Sequence, residues 1–175
     1  MIYEIQIWYI KVYNWEKLLP LSKNSHPKLK VPAMPDTLTK EQRHHCMSSI
    51  RSKNTKPEIL VRKELFKRGF RYRINVRKLP GKPDIVLPKY KTAIFINGCF
   101  WHGHGGCRHF IIPKTNAEYW ISKIRSNQQR DKESISKLQK AGWKVLTIWE
   151  CELTTTKFPE MIQKIETIIS TPPIL

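Results

Sequence analysis

His102, His104 and Cys107 crowd into one short stretch just after the apolar run Ala93-Ile94-Phe95-Ile96. An imidazole titrates near neutral pH, so His102 is the candidate general base. His104-x2-Cys107 matches half of a zinc site, where thiolate and imidazole suit the softness of the metal. The completing ligands must then come from far away in sequence, and Asp131 and Cys151 are the candidates. Such a closed site would be structural, and its binding energy would contribute to folding. The competing reading makes Cys107 and Cys151 plain buried thiols. Upstream, Pro83-Asp84 offers a carboxylate at the start of a strand-like run. A hard oxygen ligand there suits Mg²⁺, which stabilises charge on a phosphoryl group and helps generate hydroxide. Pro-Asp alone is also a common turn. Asp84 gains weight because it and Asn97 lie at the two ends of one predicted hairpin, which brings them to the same sheet edge.

Between these groups stand Phe100 and Trp101, in a loop flanked by Gly98 and Gly103. Paired aromatics are usually core. On a strongly basic protein they can instead wedge between base steps, most cheaply where pairing is already faulty. The charge supports that alternative: 32 Lys+Arg against 14 Asp+Glu give a net +18 over 175 residues. A field of that sign attracts polyanions, nucleic acid first among them. Apolar content of 40% and charged content of 26% otherwise describe an ordinary globular protein. The sequence shows no apolar run long enough to span a bilayer and no secretory signal. Its four cysteines form no dense disulfide pattern, so reduced thiols and a cytoplasmic location are expected.

These side chains need a frame to hold them. Residues 1–33 read as an N-terminal extension with linker-like composition, carrying Pro20, Pro27 and Pro32. Met34 is an alternative start, and the main domain is expected over 34–175. Thr39-x2-Gln42 and Thr55-x2-Glu58 each fit a capping box, the second with Pro57 at the helix start. The second helix should end at Gly69, with Ile59, Val61, Leu65 and Phe66 on its buried side. Phe70–Val76, Asp84–Leu87, Thr92–Ile96 and Trp143–Trp149 read as strands. A third capping box, Thr115 to Glu118, opens a long helix reaching Ala141-Gly142, with a possible break near Ser126-Asn127. Trp120, Ile121, Ile124, Ile135 and Leu138 form its apolar stripe. Phe158–Ile169 closes the chain as an amphipathic helix. The order α-α-β-β-β-α-β-α predicts an α/β fold, a mixed sheet flanked by helices.

Four blocks in this order resemble the very short patch repair (Vsr) endonucleases. They are Met47-Ser48-Ser49-Ile50-Arg51-Ser52-Lys53-Asn54-Thr55-Lys56-Pro57-Glu58, Pro80-Gly81-Lys82-Pro83-Asp84, Asn97-Gly98-Cys99-Phe100-Trp101-His102-Gly103-His104, and Trp149-Glu150-Cys151. The resemblance implies a restriction-endonuclease-like fold with a structural zinc, acting on DNA as a mismatch-repair hydrolase. Its implied reaction is a Mg²⁺-dependent nick 5′ of the T in a T:G mismatch, the product of 5-methylcytosine deamination. By motif position, Asp84 and the backbone carbonyl of Ile96 would hold magnesium. His102 would be the catalytic histidine and Glu58 a supporting acid. His104, Cys107, Asp131 and Cys151 would hold zinc, and Met47, Phe100 and Trp101 would intercalate. One departure stands at Asn97, where the pattern has a histidine; an amide can bond a phosphate but cannot exchange a proton. The family is associated with a cytosine-5 DNA methyltransferase and mismatch-repair proteins, and an asymmetric lesion suits a monomer.

Two other readings remain open at this stage. A general restriction-type nuclease usually follows Pro-Asp with an acidic-x-Lys on the next strand, and Thr92–Asn97 contains neither residue type. A zinc-stabilised DNA-binding module without catalysis would need His104, Cys107 and Cys151 but not Asp84 or His102.

Overall fold

The computed structural model describes residues 39–171. The expectations for residues 1–33 and for Met34 as a start lie outside the described residues. Both N-terminal capping boxes form. Thr39 Oγ1 accepts from the Gln42 N–H at 3.2 Å while Gln42 Oε1 accepts from the Thr39 N–H at 2.9 Å, opening α1 (Lys40–Ser48). Thr55 and Glu58 repeat this reciprocal geometry at the start of α2 (Lys56–Lys67). Gly69 then adopts φ +87°, the left-handed turn that ends the helix without a Cβ penalty.

The strands build a mixed three-stranded sheet in the order β1-β2-β3. β1 (Ile85–Leu87) pairs antiparallel with β2 (Thr92–Asn97) through the tight turn at Pro88–Tyr90. β3 (Lys144–Trp149) runs parallel to β2, from Thr92↔Lys144 to Asn97↔Trp149. A parallel neighbour needs a crossover, supplied here by α3 (Ala117–Lys140). α4 (Phe158–Ser170) completes the chain. Val61 and Leu65 of α2 join Met161, Ile162, Ile165 and Ile169 of α4 in one cluster with Ile85, Leu87, Ile94, Leu146 and Ile148. On the other face α3 packs against β3, with Ile124, Ile135 and Leu138 buried. The sheet is therefore a middle layer, as the α/β expectation requires.

Several local expectations are corrected. Ile59 and Phe66 are 38% and 57% exposed, because α2 turns its Val61–Leu65 stripe inward and leaves those two on the outer side. The Phe66 ring is covered instead by the Arg71 guanidinium, 4.5 Å from its centroid. Phe70–Val76 is no strand: it makes a single bridge, Arg73 to Val86, and Asn75 at φ +48° breaks the extended run. The third capping box does not form, since Asn116 takes a left-handed φ of +57° and makes no side-chain cap bond. α3 also runs unbroken through Ser126-Asn127. Among the described residues, no helix is long and apolar enough to cross a membrane.

Candidate active site and metal centre

β2 outruns β1. The last register pair is Ile85↔Ile94, so the N–H of Ile96 has no β1 partner and donates to Asp84 Oδ2 at 2.8 Å. A strand residue directs its N–H and C=O to the same edge, so the Ile96 carbonyl faces Asp84 as well. The hairpin thus brings Asp84 to the end of β2, as its two strands and short turn predict, but it is the backbone of Ile96 that meets Asp84, while Asn97 lies beside Asp131. Burial is the main cause that pushes the Asp84 carboxyl up to about 6. The Ile96 N–H opposes that shift, the nearby Glu58 charge adds to it, and Arg62 and His102 oppose it. Two hard oxygens of this kind fit Mg²⁺, which takes one or two carboxylates and keeps waters for the rest of its shell.

Glu58 is 4% exposed and fully engaged. It caps α2 through the Asn54 and Thr55 N–H groups and pairs with Arg62 at 2.7 Å. Beside this edge, His102 Nδ1 lies 2.5 Å from Asp131 Oδ2. That contact corrects the zinc assignment for Asp131. Its carboxylate is committed to an imidazole, which fixes that ring and leaves Nε2 as the nitrogen open to chemistry. Asn97 is 6% exposed and lines a small cavity with Phe95, Asp131, Ile135 and Thr147, on the α3 side of the sheet.

The ligand atoms of Cys99, His104, Cys107 and Cys151 all lie within 4.8 Å of one another. His104 Nδ1 is 3.6 Å from Cys99 Sγ and 3.3 Å from Cys151 Sγ. Ligands on a tetrahedral zinc with bonds of about 2.0–2.3 Å stand roughly 3.5–3.8 Å apart, so the set fits the ion. Three sulfurs and an imidazole are a soft donor set of the kind zinc takes. Cys99, which sequence reasoning left without a role, occupies the place expected of Asp131. Its signal was present in the Cys99-x4-His104-x2-Cys107 spacing. Burial pushes the Cys99 thiol up to about 12, so at neutral pH it needs a cation to hold its thiolate. The His104 ring stacks on Trp149 at 4.1 Å with the planes 2° apart.

α3 holds the loop that joins these two sites. Asn127 Nδ2 donates to the Trp101 carbonyl at 2.8 Å, and Gln128 Nε2 reaches the carbonyls of His102 and Gly103. Gly103 must be glycine: its φ is +64°, and a Cβ there would stand 2.5 Å from Gln128 Nε2. Trp120, expected in the helix stripe, instead completes an aromatic cluster. Its ring centroid is 5.2 Å from Phe100 and 5.9 Å from Trp101, in edge-to-face arrangements. Phe100 and Trp101 are half-buried, and Tyr119 continues the row at 59% exposure. Met47, at the end of α1, is exposed.

The family model described as DNA mismatch endonuclease Vsr matches residues 35–108. A type II nicking enzyme of Neisseria meningitidis serogroup A is 53% identical over 120 residues, covering 69% of this chain and 85% of that protein. The DNA mismatch endonuclease Vsr of Escherichia coli is 41% identical over 120 residues, with 69% and 76% covered. The chain belongs to the Vsr family. A type II nicking enzyme of Xanthomonas oryzae pv. oryzae is 46% identical over 121 residues, covering 69% of this chain and 88% of that protein. The Vsr model span contains Glu58, Asp84, Cys99, His102, His104 and Cys107 but stops before α3. The partners that complete each group in this Vsr-family chain come from beyond it: Trp120 for the aromatic cluster, Asp131 for His102 and Cys151 for the Cys₃His cluster.

Proposed function

We propose that this protein is a strand-nicking DNA endonuclease that cuts 5′ of the T in a T:G mismatch and so initiates very short patch repair. The observation that carries the reading is the convergence of Asp84 and Ile96 at one sheet edge beside the His102–Asp131 pair, in a Vsr-family chain. Asp84 and the Ile96 carbonyl would hold Mg²⁺, which supplies charge stabilisation at the phosphoryl group and a more acidic water. His102 takes a proton through Nε2, and Asp131 stabilises the imidazolium that results. Glu58 stiffens the carboxylate edge through the α2 cap. Asn97, buried beside Asp131, acts on the α3 side and not as an acid or base. Phe100, Trp101 and Trp120 form the wedge that enters the stack, with Met47 on the α1 arm as a further inserting side chain. Cys99, His104, Cys107 and Cys151 would hold a structural zinc, tying the wedge loop to the end of β3. The three-layer arrangement accords with a restriction-endonuclease-like fold.

The test is a nicking assay with Mg²⁺ on duplexes carrying T:G, T:A or C:G at one position. A single nick confined to the T:G duplex is expected. Equal cutting of all three would support a general nuclease, and binding without cutting would support a non-catalytic zinc module.

The raised Asp84 carboxyl makes metal binding pH-dependent. Protons compete with Mg²⁺ below about pH 6, where the free carboxyl is protonated. The half-saturating Mg²⁺ concentration should therefore rise about tenfold per pH unit below that point and stay flat above it. The sign for stability follows from the same shift. The folded state holds this proton more tightly, so the Asp84 charge costs nothing below its ordinary 3.8 and its full penalty above about 6. Mg²⁺ should then raise the melting temperature more at pH 7.5 than at pH 5. Equal half-saturation at those two pH values would remove Asp84 from the metal site.

A further inference from the structure

Arg62 is a cation that the nicking reading leaves without a task. In sequence it looks like a surface partner for Glu58, one helical turn away. In the structure its side chain is only 8% exposed and that of Glu58 only 5%. Its Nη1 donates to Asn54 Oδ1 at 2.7 Å, in the loop between α1 and α2. Its Nη2 donates to Glu58 Oε2 at 2.7 Å and to the backbone carbonyl of Asp84 at 3.0 Å. Its Nε is buried with no partner. A buried ion pair is weak evidence of net stabilisation, and an orphaned buried donor adds cost. Fold stability is thus a poor reason for placing a guanidinium there.

Its contacts suggest another reason. The guanidinium grips the main chain of the residue whose carboxylate faces Ile96, and it neutralises the acid beside that carboxylate. We propose that Arg62 is a positioning residue for the Asp84 metal site, fixing Asp84 and Glu58 together from behind while the carboxylate edge stays open. The planar fork matters, because three acceptors in separate directions are met at once; a lysine ammonium, a single nitrogen on a flexible stem, cannot match that geometry. The proposal rests on the nicking reading and names a residue that reading does not use.

The test compares wild type with Arg62→Lys in the full chain, using Mn²⁺ as the probe. Free Mn²⁺ is read by electron paramagnetic resonance, with a T:G duplex carrying a non-hydrolysable linkage at the nick position. Arg62→Lys should weaken Mn²⁺ binding about tenfold or more, yet leave duplex binding in metal-free buffer within about threefold. Nicking should recover to within about threefold of wild type at saturating Mg²⁺, since a positioning defect shows in metal affinity before it shows in the rate. Unchanged Mn²⁺ affinity, or duplex affinity falling in step with it, would overturn the proposal. Should Arg62→Lys fail to fold, Asn54→Ala in the exposed loop frees one arm of the fork without baring a charge. Mn²⁺ binding should then weaken about threefold, and no change would equally overturn it. Wild type that neither binds Mn²⁺ nor nicks would sink the nicking reading itself, a result distinct from an indifferent Arg62→Lys.

Discussion

Asp84→Ala should reduce nicking of a T:G duplex by about 1,000-fold or more while leaving duplex binding within about threefold. The size follows from removing the charged ligand at the edge; each tenfold in rate corresponds to about 1.4 kcal/mol of lost transition-state stabilisation. Binding should survive because, on the proposed function, affinity for the duplex would come mainly from Lys and Arg on phosphates, together with the aromatic cluster. The alanine change also strands the Ile96 N–H that Asp84 Oδ2 accepts at 2.8 Å. Asp84→Asn is the companion variant, since an amide oxygen can keep that hydrogen bond without the charge. Equal loss in both variants assigns the effect to the missing carboxylate. An active Asp84→Asn enzyme would place the metal elsewhere.

The second large effect separates Cys99, which lies in the Cys₃His cluster, from Asp131, which was expected there. Cys99→Ala should lower bound zinc and drop the melting temperature by about 10 °C or more, because structural zinc binding is itself folding free energy. Cys99 is 2% exposed, so the alanine also removes packing at a buried position. Asp131→Asn should keep one equivalent of zinc and an ordinary melting curve but lower nicking about 100-fold or more. An amide at that position cannot stabilise an imidazolium or hold His102 in the same tautomer. Metal analysis, thermal melting and the nicking assay on both proteins give the comparison. Zinc loss in Asp131→Asn would return that carboxylate to the metal cluster.

Features governed by local chemistry were legible in the sequence. Thr39 with Gln42 and Thr55 with Glu58 satisfy each other's N–H groups within one turn, so their helices could be read directly. The hairpin that joins Asp84 to the end of β2 was legible for a similar reason, since its two strands and short turn fix which ends meet. The same pattern misled at Thr115 to Glu118, where Asn116 takes a left-handed conformation that no capping box includes. It misled again at Phe70–Val76, whose β-formers found one bridge and no continuous partner. Side chains that meet only in the tertiary fold were the hardest. Asp131 can bond His102 or join a metal with equal ease by type, and only the seating of α3 decides. Cys99 was hidden because by type it reads as a small buried thiol, and only the fold brings its sulfur to His104, Cys107 and Cys151. Arg62 carries the sequence pattern of a solvated helix pair, and only the fold brings Asp84 and Asn54 against it.

The continuity of α3 makes it a ruler for the whole site. Trp120, in the aromatic cluster, and Asp131, against His102, are eleven residues apart on an unbroken helix. At about 100° per residue that interval is close to three full turns, so both side chains leave the helix on one side, roughly 16 Å apart along its axis. Inserting or deleting a single residue between them would swing one partner about 100° away from the other. Substitutions on the solvent side of this interval should cost little, whereas any change in its length should uncouple lesion insertion from strand cutting. On the proposed function, the spacing between the distorted base step and the cut phosphate would be gauged by a count of residues, held rigid by the backbone hydrogen bonds of one helix.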